Sequence, residues 1–221
     1  MSAFLLFFIA PMLVGFWAQH RVKSTFAKNL EIPVANGLTG AQVARRILDA
    51  NGLNDIPVEQ AAGSLTDHYD PRSRSVHLSE PVFNSTSVAS TAVGAHEVGH
   101  AIQHAQAYSF FRFRSAMFPA VQFASNIWAL FLFGGFILGV LGLAYVGIAL
   151  FAVAVLFQIV TLPVEFDASR RAKQQLQDLG LVAPPEAAGV KSTLTAAAWT
   201  YVAGALASVA MLLYYLSFLR R

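Results

Sequence analysis

Residues 115–164 read SAMFPAVQFASNIWALFLFGGFILGVLGLAYVGIALFAVAVLFQIVTLPV, a run with no aspartate, glutamate, lysine or arginine. About 20 apolar residues in a helix cross the hydrocarbon core of a bilayer. The run therefore holds two crossings joined by a tight connection, placed at 118–140 and 143–163. Two further uncharged stretches, Met1 to His20 and Ser192 to Leu219, add a first crossing at 2–19 and a fourth at 196–218. Only 12% of the chain is charged and 56% is hydrophobic, against about 25% charged in an ordinary soluble domain. The deficit is confined to these stretches, which excludes a wholly soluble domain. The first stretch lacks the basic start and small-residue cleavage site of a secretory signal, so it is read as a retained helix.

The chain has 15 lysines and arginines, and all but Arg220 and Arg221 lie within 20–115 and 165–195. With four crossings these two segments share one side of the membrane, and their basic residues mark that side as cytoplasmic. The expected organisation is one transmembrane helix in 1–19, a polar segment over 20–115, two helices in 116–164, a second polar segment over 165–195 and a last helix in 196–221. There is no cysteine, so a disulfide framework is excluded. The net charge of +3 is spread thinly and forms no stripe of the kind that binds nucleic acid. The bilayer is the partner this composition calls for.

The polar segment 20–115 carries clear local signals. In GLTGAQVARRILDANGL (37–53), Thr39 is an N-cap, Val43, Ile47 and Leu48 share a helix face, and Gly52 is a stop. IPVEQ (56–60) and GSLTDHYD (63–70) read as strands, DPRS (70–73) favours a type I turn, and SRSVHLS (73–79) alternates, which predicts a β-hairpin over 63–79. Ser87 caps a helix over about 88–108. The second polar segment opens EFDASRRAKQQLQDLGL (165–181), which continues the third crossing as a helix to near Gly180. The fold class is therefore a mainly α membrane protein, four transmembrane helices with a small cytoplasmic α+β unit.

AHEVGHAIQHA (95–105) lies on the predicted 88–108 helix. Residues four apart share a helix face, so His96 and His100 can direct ring nitrogens at one ion. Glu97, one residue on, is turned about 100°, which sets its carboxylate beside the ion as a general base toward water. His104 continues the row, but eight residues rise about 12 Å, too far for a single ion with bonds of about 2 Å. The third ligand must come from elsewhere. Glu165 and Asp167 stand at the end of the third crossing, where a carboxylate is costly without a cation partner, and both remain candidates on this reading. His77 in the return strand reads as structural, and His20 as a membrane-boundary ring.

Five blocks in one order, GLTGAQVARRIL (37–48), LTDHYDPRSRSVHLSE (65–80), AHEVGHAIQHA, LFQIVTLPVEFDASRRA (156–172) and AAAWTYVAGALAS (196–208), resemble the YugP-type bacterial membrane zinc metallopeptidases over nearly the whole chain. The resemblance implies an inner-membrane zinc metalloendopeptidase with Zn2+ as cofactor, His96 and His100 as ligands and Glu97 as catalytic residue. The chain is more distantly similar to HtpX-like and CAAX-prenyl gluzincins, whose third ligand is the Glu of a Glu-x-x-x-Asp pattern. Glu165 occupies the Glu position and Ser169 the Asp position, so the resemblance implies Glu165, with Asp167 as its competitor. Gluzincins also place an edge strand beside the zinc. By that analogy residues 64–69 form the substrate rail, and His68 or Tyr69 donates to the developing oxyanion. The expected substrates are membrane or membrane-proximal proteins, cleaved at the cytoplasmic face.

Overall fold

The helices form where the apolar runs are, and they outlast them. The structure is a computed structural model that describes residues 5–219. A π-helical turn, Leu5–Ile9, leads into α1 (Ala10–Leu30); then come α2 (Gly40–Ala50), β1 (Val58–Ala61), β2 (His68–Asp70), β3 (Ser75–Ser79), α3 (Glu80–Asn84), α4 (Val88–Ala105), α5 (Ser109–Ile137), α6 (Leu141–Asp178) and α7 (Ala187–Leu219). Among the described residues four stretches are long and apolar enough to cross a membrane: Leu5–Leu30, Ser109–Ile137, Leu141–Asp178 and Ala187–Phe218. The first helix was expected to end near residue 19 and runs on to Leu30. The last was expected from 196 and begins at Ala187. No proline or glycine interrupts 20–30, and loss of hydrophobicity alone does not stop a helix.

Chain contacts divide the molecule into two compact units. One comprises residues up to Gln19, Arg112–Pro163 and those from Thr200. Inside it Leu132, Ala144 and Ile148 are buried, flanked by Trp128, Leu212 and Tyr215. Its outward residues are as apolar as its core: Leu130 is 72% exposed and Ile137 is 83% exposed. So much apolar surface suits lipid rather than water.

The second unit comprises His20–Phe111 and Val164–Trp199. Its three-stranded sheet has the order β1-β3-β2. β1 runs parallel to β3, and β2 is antiparallel to it with Tyr69 opposite Val76. The sheet and α2, α3 and α4 enclose Val43, Ile47, Leu48, Val76, Leu78, Val82 and Val98, all fully buried. Val164, Ala172 and Leu176 of α6 join the same core. Thr39 caps α2 in a capping box, its hydroxyl accepting from the Gln42 amide while Gln42 Oε1 accepts from the Thr39 amide. The hairpin is shorter than expected, since its first strand starts only at His68. Gly63 and Leu65 both adopt positive φ, 97° and 58°, which breaks a strand. Asp67 instead turns its carboxylate onto the amide and hydroxyl of Ser79, at 2.7 and 3.0 Å.

Candidate metal centre

α4 starts at Ser87, whose hydroxyl accepts the Ser90 amide at 3.1 Å. From that cap the helix presents His96 and His100 one turn apart, with Gly99 against α6. A Cβ at Gly99 would sit 2.6 Å from the Ala168 carbonyl oxygen. Only glycine permits this approach, and the approach brings the Val164–Ser169 part of α6 alongside the histidines.

Glu165 is the carboxylate delivered there. Its Oε2 lies 3.2 Å from His96 Nε2 and 3.6 Å from His100 Nε2, and one ligand atom from each of the three residues lies within 4.8 Å of the others. Tetrahedral ligand atoms about 2 Å from one zinc are themselves about 3.3 Å apart, so the spacing fits. The donor chemistry fits as well. Two imidazoles and a carboxylate that is 2% exposed are a set that burial penalises without a cation. Each far ring nitrogen is held from behind: His96 Nδ1 is 3.2 Å from Ser169 Oγ and His100 Nδ1 is 3.0 Å from Gln103 Oε1. Such partners orient metal-ligating histidines. Ser169 thus reaches the His96 ring from α6.

Glu97 is 7% exposed and accepts the backbone N–H of Tyr69. Burial pushes its carboxyl up to about 7; His96 and the Tyr69 amide pull against that shift, and Glu165 and Asp67 add to it. A cation at the three-residue cluster would pull it back down.

The other candidates lie outside the cluster. Asp167 accepts from the guanidinium groups of Arg170 and Arg171 and from Gln103 Nε2. His104 Nδ1 is 2.9 Å from the Tyr69 hydroxyl, and its ring stacks on Phe111 at 5.5 Å. His68 is exposed; its Nδ1 lies 2.8 Å from the Thr66 carbonyl oxygen and its ring stacks on His77 at 4.7 Å. Tyr69 is buried, with its backbone at Glu97 and its hydroxyl at His104. Gln103 and Gly99 carried no role in the sequence reading. The available signal was position alone: Gln103 lies three residues after His100, on the same side of the helix.

The family described as "Putative neutral zinc metallopeptidase" matches residues 4–220. The chain belongs to that family. It is also 50% identical over 212 residues, covering 96% of this chain and 94% of the relative, to a Bacillus subtilis (strain 168) protein described as "Putative membrane protease YugP". No solved structure matches the chain. Membership implies zinc, and among the described residues His96, His100 and Glu165 form a group that could hold a metal ion.

Proposed function

We propose that this chain is a zinc-dependent endopeptidase, held in the bacterial inner membrane by four helices, that hydrolyses peptide bonds of membrane or membrane-proximal proteins at the cytoplasmic face. The observation that carries the reading is the meeting of one ligand atom each from His96, His100 and Glu165 within 4.8 Å, with the Glu97 carboxyl one residue from His96. A bound zinc supplies Lewis-acid polarisation of the scissile carbonyl and acidifies the attacking water. His96, His100 and Glu165 hold the ion. Glu97 takes the proton of the water and returns it to the leaving amine.

β2 is an edge strand, and its Tyr69 amide contacts Glu97. An extended peptide added along this edge would pass the Glu97 carboxyl, so His68–Asp70 is the substrate rail in this reading. His68 and Tyr69 are its two side chains able to donate to a developing oxyanion. Glu165 follows directly on the uncharged run that ends at Val164, which favours substrates presented near the bilayer surface.

The test is zinc content and peptide hydrolysis by purified protein. Glu97→Gln is expected to keep its zinc and to lose about 10²–10⁴-fold in kcat. Tyr69→Phe and His68→Ala are expected to keep zinc, and the one that removes the oxyanion donor to lose kcat with little change in KM. A Glu97→Gln protein that holds zinc and cleaves as fast as the wild type would make the metal structural and end the enzyme reading.

A further inference from the structure

The Gln103 side chain is fully buried and spans the gap between α4 and α6. Its Nε2 lies 2.8 Å from the Val164 carbonyl oxygen and 2.9 Å from Asp167 Oδ2. Its Oε1 lies 3.0 Å from His100 Nδ1. A backbone carbonyl only accepts, and so does a carboxylate that already receives two guanidinium groups, those of Arg170 and Arg171. The amide NH2 must therefore face Val164 and Asp167, and its oxygen must face His100. An amide oxygen also only accepts, so the proton between the two residues belongs to His100 Nδ1. When the ring is neutral, its one N–H is therefore at Nδ1, and Nε2 is the bare nitrogen on the Glu165 side.

We propose that Gln103 is a positioning residue that locks His100 in the Nδ1–H tautomer, keeping its Nε2 lone pair free for a divalent transition metal. The chain of direction runs from Arg170 and Arg171 through Asp167 to Gln103 and then to the ring. His96 has no equivalent lock. Its partner, Ser169 Oγ at 3.2 Å, is a hydroxyl that donates or accepts and so admits either tautomer. The inference rests on the ligand reading proposed above, but its first consequence needs no metal.

The experiment uses full-length protein in detergent with 15N-labelled histidine rings. In the zinc-free wild type His100 Nδ1 is expected to carry a proton, whether or not Nε2 also holds one against the Glu165 carboxylate. Gln103→Met keeps the length of the side chain and removes the acceptor. The His100 ring should then populate both tautomers, and zinc affinity should fall about 10–100-fold. Gln103→Glu separates tautomer control from simple bracing. Its carboxylate meets two acceptors on α6, the Val164 carbonyl and Asp167, so the bracing is lost, but it still accepts from His100 and should retain the wild-type tautomer. Ser169→Ala should weaken zinc binding less than Gln103→Met. A bare Nδ1 on His100 in the zinc-free wild type would overturn the proposal without any variant. So would a Gln103→Glu protein whose His100 ring populates both tautomers as in Gln103→Met, since bracing would then be the whole role. A wild type that takes up no zinc overturns the ligand reading instead, and the ring spectrum still decides the tautomer.

Discussion

Glu165 and Asp167 stand two residues apart, and on a helix that turns them about 200° from each other. Only one can face the histidine pair, and the geometry gives that place to Glu165. Asp167 is turned to Arg170, Arg171 and Gln103. Zinc analysis should therefore separate the pair: Glu165→Ala purifies without the metal, and Asp167→Ala retains it. His104→Ala should also retain zinc, because that ring is committed to Tyr69 and Phe111. At this scale the histidine pair was legible, because a spacing of four on a helix is a geometric statement in itself. Glu165 was legible as one of two, because an acid at the end of a greasy run calls for a cation. Gln103 was not. An amide becomes informative only when its neighbours are known to accept, and those neighbours, Val164 and Asp167, come from a helix some sixty residues away in sequence.

Between elements, the contact that makes the site is α4 against α6 at Gly99. Gly99→Ala places a methyl 2.6 Å from the Ala168 carbonyl oxygen, so the helices must part. Overpacking of this kind costs about 1–3 kcal/mol. The separation should also move Glu165 from the histidines, and the expected result is reduced zinc affinity as well as a lower Tm. Thr39→Ala supplies the contrast. It removes the capping box of α2, which is remote in sequence from the ligands, and should cost about 1 kcal/mol while zinc stoichiometry is unchanged. The caps at Thr39 and Ser87 and the buried face of α2 could be read directly, since each depends on residues within one or two turns. The parallel pairing of β1 with β3 could not, because no local signal names a partner strand. The late start of β2 was hidden too, since it depends on positive φ at Gly63 and Leu65.

For the whole molecule, the uncharged runs made legible four helices long and apolar enough to cross a membrane, whereas the true helix lengths were not, because α1 and α7 extend through polar sequence without a stop signal. The distribution of basic residues adds a sidedness that can be measured. The chain has no cysteine, so a single introduced thiol is a unique label. Leu138→Cys, in the exposed α5–α6 turn, should react with an impermeant maleimide on intact cells. Glu59→Cys, exposed on β1, should react only after the membrane is opened. The central claim is that one zinc ion is held by His96, His100 and Glu165, and zinc K-edge absorption of the purified protein tests it most directly. The account predicts two imidazoles and one carboxylate, with the light-atom ligands at about 2.0–2.2 Å, and the loss of that zinc in Glu165→Ala. A shell of three imidazoles, or an unchanged zinc spectrum in Glu165→Ala, would contradict it.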